Sequence, residues 1–108
     1  MQTYNDLFSN WEDVQREFCT GEAEPEEVIY ARYDYQDYSG DATVVYRNGK
    51  KFSIVEGGHC SCFGLETQFE PTDYTKDEIL AALDRRATDN YYQKPWTEIA
   101  AHIRTTVQ

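Results

Sequence analysis

The sequence is short of positive charge and of long apolar runs. Its 108 residues hold 10 Lys and Arg against 20 Asp and Glu, which gives a formal charge of −10. Such a charge repels the phosphates of DNA and RNA, so direct nonspecific nucleic-acid binding is not expected. No apolar stretch approaches the ~18 residues of a membrane-spanning helix. The first six residues lack the basic and apolar regions of a signal peptide, so we expect a cytoplasmic protein that does not bind membranes.

Cysteine is scarce too, with three residues at Cys19, Cys60 and Cys62. The odd count, and the single residue between Cys60 and Cys62, argue against a disulfide framework and favour reduced thiols in a cytosolic setting. Apolar residues make up 40% of the chain and aromatic residues 15%, including nine Tyr, which argues against disorder. Residues 1–108 are therefore predicted to form one domain with one core.

Apolar residues recur at helical spacing near the start of the chain, and they are Leu7, Phe8, Trp11, Val14 and Phe18. This stripe predicts a first helix from about Asp6 to Cys19, with Asn5 or Thr3 as its N-cap and Gly21 as its stop.

Two further helices are predicted in the last third of the sequence. Thr75 and Glu78 have the spacing of a capping box and predict a helix over Lys76–Arg86. An apolar stripe predicts another from Pro95, which suits a first helical position, through Val107.

The middle of the chain predicts strands over Val28–Tyr35, Ala42–Arg47 and Lys51–Glu56, with a short edge strand possible over Glu66–Glu70. Alternation should place Ile29, Ala31, Tyr33 and Tyr35 on one face of the first strand. Asn48-Gly49 predicts a type I′ hairpin that pairs Val45 with Phe52 and Thr43 with Ile54 on one face. Val44, Tyr46 and Val55 are predicted to lie on the other face. The predicted class is α+β, an antiparallel sheet of three or four strands with three helices packed mainly on one face.

Residues 56–71 form the least ordinary stretch, because a Gly pair precedes a His and two Cys. The simplest interpretation is a tight turn with small buried thiols. Thiolates and imidazole also suit Zn²⁺, with Cys19 or His102 completing the ligands, although a single residue between two Cys strains that geometry. A nucleophilic thiol activated by His59 or His102 is disfavoured, because the neighbouring carboxylates would raise its pKa.

Ligand capture is another possibility for this stretch. Backbone N–H groups at Gly57 and Gly58 can form an anion nest, and nearby tyrosines can stack on the base of a nucleotide signal. The residues of this alternative site are Tyr33, Gly57, Gly58, His59, Cys60, Cys62 and Glu66.

Acidic residues gather between the first predicted helix and the hairpin. They are Glu22, Glu24, Glu26, Glu27, Asp34, Asp37 and Asp41. Such a surface either keeps the protein soluble or meets the Arg and Lys of another protein in place of nucleic acid. The predicted partner-binding residues are Glu24, Glu26, Glu27, Asp34, Tyr35, Asp37, Tyr38 and Asp41.

Two short motifs carry a resemblance that covers roughly Tyr33 to Glu70. They are Asp37-Tyr38-Ser39-Gly40 and, after the hairpin, the run from Gly58 through Glu66 followed by Gln68-Phe69-Glu70-Pro71. This pattern resembles small, mostly uncharacterised proteins of tailed bacteriophages, with Phe63 in place of an expected Tyr and Phe69 in place of an expected Trp. The resemblance implies a viral origin and a bacterial cytoplasm, and no particular mechanism.

The expected function is that of a non-enzymatic acidic binding protein without a cofactor. Its partner would be a host protein with a basic surface, such as a CRISPR or restriction complex of the antiviral defence, which it would block by imitating nucleic-acid charge. The alternative is a small-ligand or metal-binding domain that uses the Gly58–Glu66 stretch.

Overall fold

The computed structural model describes residues 3–36, 39–59, 65, 68–89 and 93–105. In chain order the elements are β1 (Tyr4–Asp6), α1 (Trp11–Phe18), β2 (Glu27–Gln36), β3 (Ser39–Asn48), β4 (Lys51–His59), β5 (Thr72–Tyr74), α2 (Lys76–Asp89) and α3 (Gln93–Thr105). The strands form one five-stranded sheet in sequence order. β1 runs parallel to β2, and the other neighbours are antiparallel. The predicted α+β class is confirmed, with more strands than expected and one parallel pair.

Helices cover both faces of this sheet, because successive side chains of a strand point to opposite sides. On one face α1 packs its Trp11, Val14 and Phe18 against the strands. On the other face α2 and α3 form a second cluster that includes Ile79, Leu83 and Ile99. Two of the three helices thus share a face, as predicted, and α1 covers the opposite one.

The first helix is shorter than predicted, beginning at Trp11 rather than Asp6. Its N-cap is Asn10, whose side chain accepts a hydrogen bond from the Asp13 N–H, and Cys19 ends it in the left-handed region at φ 52°. The preceding residues pair with β2 instead: Ala31 N–H donates to the Thr3 carbonyl (2.7 Å), and Leu7 N–H donates to that of Tyr33 (3.1 Å). These long-range bonds are invisible to helical periodicity, so the predicted start and the predicted caps and stop were wrong.

The β3–β4 hairpin turns one residue later than predicted. Asn48 pairs with Lys51, so Gly49 and Lys50 form the turn and Val45 pairs with Ile54 rather than with Phe52. Gly49 has φ 62°, and Lys50 has negative φ. A type I′ turn needs positive φ at both central residues, whereas a type II′ turn needs it at the first alone, so this turn fits type II′. The change shifts the register by two residues, which leaves every side chain on its predicted face.

Two other strand predictions were wrong. A register shift between Val28 and Tyr30 places Ile29 on the α2–α3 face, whereas Ala31 lies on the α1 face. The bulge breaks the simple alternation. The edge strand is β5, and residues 68–70 are not in a strand.

The capping box of α2 is confirmed by reciprocal bonds, Thr75 N–H to Glu78 Oε1 (2.9 Å) and Glu78 N–H to Thr75 Oγ1 (3.3 Å). α2 extends to Asp89, three residues past its predicted end, and α3 starts two residues before Pro95. Over the described residues, the helices are too short or too polar to cross a membrane.

Candidate functional site

The α2–α3 face of the sheet changes from apolar to polar along its length. Tyr30, Val45 and Ile54 stand side by side on three strands and are buried beneath the helices. The next row across the same strands is Arg32, Thr43 and Glu56, and the row after it is Asp34, Asp41 and Gly58. These two polar rows are half-buried or exposed, so the helices cover only part of this face.

A groove of about 500 Å³ lies over the polar rows. We call it the Thr43 groove. Its lining consists of Tyr30, Arg32, Asp41, Ala42, Thr43, Glu56, Gly57, Gly58, Gln68 and Trp96. A volume of this size falls within the range of sites that bind small molecules or peptide side chains. The strands supply its floor, Trp96 of α3 supplies one wall, and Gln68 lies at the Gly57–Gly58 side.

One guanidinium already sits at the border of the groove. Arg86 Nη2 is 2.8 Å from Glu56 Oε1, and its Cζ lies 5.7 Å from the centroid of the Trp96 ring. Burial opposes the charge of Arg86, but bonding to Glu56 and to Tyr74 outweighs it and raises its pKa. The negative charge of Glu56 is therefore neutralised by Arg86 of the same chain. Arg32, Asp34 and Asp41, by contrast, form no ion pair with any other residue that the structure describes.

The same end of the sheet carries two exposed large apolar side chains, Leu7 at 55% and Tyr35 at 48% exposure. Leu7 follows β1 and donates its N–H to the Tyr33 carbonyl, which places its backbone beside the end of β2 that carries Tyr35. Asp6 precedes Leu7, and Asp34 pairs with Asp41 across β2 and β3. Tyr35 projects to the α1 face, where its ring meets that of Tyr33 at 6.5 Å between centroids, whereas Asp34 and Asp41 project to the other face. We call this set of residues (Asp6, Leu7, Asp34, Tyr35 and Asp41) the sheet-end patch.

The predicted acidic face is divided by the structure. Asp34, Tyr35 and Asp41 are brought together, but Glu27 lies at the other end of β2, roughly 20 Å away along the strand. Glu26 and Glu24 belong to the chain that leads into that distant end. Asp37 and Tyr38 lie outside the described residues. The predicted partner-binding set is thus two groups rather than one.

The distant group holds its carboxylates in an ion-pair network. Arg47 Nε donates to Glu27 Oε1 (3.2 Å), and His102 Nε2 lies 2.8 Å from Glu27 Oε2. Arg47 also lies 3.5 Å from Glu26 and donates to the Gly49 carbonyl at 2.8 Å. Burial raises the pKa of Glu27, but bonding to His102 and Arg47 outweighs burial and lowers it. These contacts tie α3 to β2 and β3, which indicates a structural role.

Glu27→Gln should therefore reduce stability at neutral pH and have little effect in acid. Because the folded state lowers the pKa of Glu27 below 4.5, its contribution is present above that value and is lost as pH falls through the folded-state pKa. We expect a loss of about 0.5–1 kcal/mol near neutral pH, since the side chain is one-third exposed. Urea unfolding across acid to neutral pH measures this. The matched control is Glu24→Gln, at an exposed carboxylate; an equal loss in both variants at every pH would contradict the assignment.

Several residues predicted for the alternative ligand site do not lie where that prediction needs them. Tyr33 is 4% exposed and packs on Phe8 in the α1 core, with ring centroids 5.5 Å apart, so it is not available to stack on a ligand. Gly58 N–H donates to Gln68 Oε1 at 2.9 Å instead of contributing to an anion nest. Gly57 and Gly58 do line the Thr43 groove, and His59 ends β4 opposite Gly40. Cys60, Cys62 and Glu66 lie outside the described residues.

The structure separates the two residues proposed to complete a metal site. Cys19 follows α1 on one face of the sheet, and His102 belongs to α3 on the other. Within residues 3–36, 39–59, 65, 68–89 and 93–105, no three His, Cys, Asp or Glu side chains are grouped to hold a metal ion.

Comparisons with protein-family models, curated proteins and solved structures gave no match. Any function must therefore be inferred from the residues themselves. Sequence reasoning missed Leu7, which fitted the first helical stripe, and it missed Arg32, Thr43 and Glu56. A usable signal was present, because β2 and β3 each carry two polar residues at alternate positions near one end and β4 carries Glu56 near the same end.

Proposed function

We infer that this protein is a non-enzymatic binding protein that attaches to a basic protein surface through the sheet-end patch. With the resemblance to tailed-phage proteins, we further propose that it acts in the cytoplasm of an infected bacterium and blocks a host factor, such as a nucleic-acid-binding complex of the antiviral defence. The observation that carries the proposal is that Leu7 and Tyr35, both exposed, lie at the same end of the sheet as Asp6, Asp34 and Asp41, so that a partner can contact tyrosine and carboxylates together around that end.

This arrangement combines the two ingredients of a protein interface. Apolar and tyrosine side chains at the centre supply most of the binding free energy, and charges around them select the partner. The net charge of −10 attracts a cationic surface over a distance and speeds the encounter. Removal of the distant Glu26–Glu27 group from the predicted surface does not weaken this argument, since those carboxylates are already paired with Arg47.

The test is affinity capture from bacterial lysate with the full chain at low and at high salt. The unmodified protein should retain a basic protein in a salt-sensitive way. Tyr35→Ala should reduce the retained amount by about tenfold or more, as expected for an interface tyrosine. The pair Asp34→Asn with Asp41→Asn should also reduce it and should weaken its dependence on salt.

Matched controls are Glu12→Gln with Asp84→Asn, which remove the same charge from exposed positions of α1 and α2. Retention by these controls should equal that of the unmodified chain. The proposal would be wrong if no basic protein were retained, or if Tyr35→Ala and the controls behaved alike. Circular dichroism of each variant shows that the fold is intact.

A further inference from the structure

We propose that the Thr43 groove receives an arginine side chain of the basic partner. This deepens the proposed function, on which it rests, by naming the group that enters the sheet beside the patch. The patch alone is small, whereas stable interfaces bury about 800 Å² on each partner. Asp41 belongs to the patch and also lines the groove, so the two surfaces are continuous.

The groove has the space for a long side chain at its Asp41 side. Gly58 lies beside Asp41 in the register and contributes no side chain. A Cβ at position 58 would lie 3.3 Å from Asp41 Oδ1 and 3.4 Å from the Gly40 carbonyl oxygen. The absence of a side chain at this position keeps Asp41 accessible from the groove.

The carboxylates at the Asp41 side of the groove favour the binding of a cation. Asp34 and Asp41 stand directly opposite each other on neighbouring strands, and neither forms an ion pair with another described residue. Like charges in directly opposed cross-strand positions destabilise a sheet. A cationic group bound between them relieves that repulsion, which gives the partner's charge a specific place to act.

The carboxylate of Asp41 favours a guanidinium over an ammonium group. Tyr30 and Trp96 line the groove but are only 7% and 6% exposed, so the selection of arginine rests on the paired hydrogen bonds that a planar guanidinium forms with a carboxylate and an ammonium group does not. Arg86 displays this chemistry within the molecule, since it contacts the Glu56 carboxylate and the Trp96 ring together. Asp41, one row away from Glu56, offers a second carboxylate of the same kind.

Arg32 supplies a test of the sign of the ligand's charge. It lies on β2 next to Thr43, within the groove lining. A cation in the groove is repelled by Arg32, so Arg32→Gln should strengthen its binding. An anion would be held by Arg32, and the same substitution would weaken its binding. Asp41→Asn should have the opposite effect in each case.

The experiment is a titration of the labelled full chain with N-acetyl-arginine amide, followed by NMR. Equivalent titrations use N-acetyl-lysine amide and the neutral isostere N-acetyl-citrulline amide. Saturable shifts are expected at the Trp96 indole N–H and at the amides of Thr43 and Gly58. The arginine compound should bind with a dissociation constant on the order of millimolar, as suits a single side chain, and more tightly than the other two.

The variants then give opposite results. Asp41→Asn should weaken binding of the arginine compound about three- to fivefold, and Arg32→Gln should strengthen it about two- to threefold. Matched controls are Asp84→Asn and Arg85→Gln, at exposed positions of α2 outside the groove lining. Both controls should leave binding unchanged.

The groove assignment would be overturned by non-saturable shifts, by equal binding of the citrulline compound, or by weaker binding in Arg32→Gln. Failure here is distinct from failure of the proposed function. If Tyr35→Ala still abolishes capture of a basic protein, only the groove assignment is wrong. If the arginine compound binds as expected but no basic protein is captured, the groove assignment stands and the partner proposal is wrong.

Discussion

Phe18→Ala is expected to lower the free energy of unfolding by about 3–5 kcal/mol, the usual cost of removing a buried aromatic ring. Phe18 is 1% exposed at the end of α1 and packs edge-on against Phe69, with ring centroids 5.5 Å apart. Its Cε1 would lie 3.1 Å from a Cβ at Gly57. The ring therefore fills the space between α1 and the glycine strand, and its removal leaves a cavity there.

Urea unfolding followed by tryptophan fluorescence measures this loss. Since small domains have only about 5–15 kcal/mol of stability, Phe18→Leu, with an expected cost below about 1.5 kcal/mol, serves if the alanine variant does not fold. The comparison is Tyr35→Ala, at a ring that is 48% exposed and meets Tyr33 edge-on, which is expected to cost less, about 0.5–1.5 kcal/mol. Equal losses in Phe18→Ala and Tyr35→Ala would show that α1 does not pack as described.

Ile99→Ala is expected to lower the free energy of unfolding by about 2–5 kcal/mol, because it removes a buried side chain from the core on the other face of the sheet. Ile99 is fully buried in the α2–α3 cluster, three residues after Trp96 on α3. Loss of its side chain should loosen α3 and with it one wall of the Thr43 groove. The effect is measured as a lower urea midpoint. Ala101→Ser, at an exposed position of the same helix, is the control and should be nearly neutral.

The two faces should unfold together, because both clusters are built on β2, β3 and β4. Phe18 and Ile99 nevertheless belong to different clusters on opposite faces of the sheet. The milder substitutions Phe18→Leu and Ile99→Val should therefore add within about 0.5 kcal/mol when combined, in a single transition. Two separate transitions, or strong coupling between the substitutions, would contradict the arrangement of two clusters on one sheet.

Local signals in the sequence were enough to predict most of the elements. The capping box fixed the start of α2, and alternation in β3 and β4 placed Val44 and Val45 on their correct faces. The errors arose where a distant partner decides the structure. Tyr4–Asp6 became a strand because β2 offers it hydrogen bonds, and a bulge at Val28–Tyr30 moved Ile29 to the other face.

The candidate site was less predictable than the fold. Proximity along the chain suggested that Glu26 and Asp34 act together, but most of the extended strand β2 lies between them and keeps the two residues far apart. The Thr43 groove is assembled from three strands and a helix, and only the register reveals that Arg32, Thr43 and Glu56 are neighbours. Leu7 was assigned to a helix core, and its exposure follows from the pairing of β1 with β2.

The unequal lengths of the strands bear on how this protein behaves at high concentration. The outermost strands, β1 and β5, have three residues each, whereas the interior strands have nine or ten. Long open borders are the usual template on which identical chains add to one another and grow into aggregates. Here each short strand interrupts the outer border of its long neighbour, at residues 31–33 of β2 and 52–54 of β4, without closing it. Mutual repulsion between acidic copies adds a second barrier to such growth.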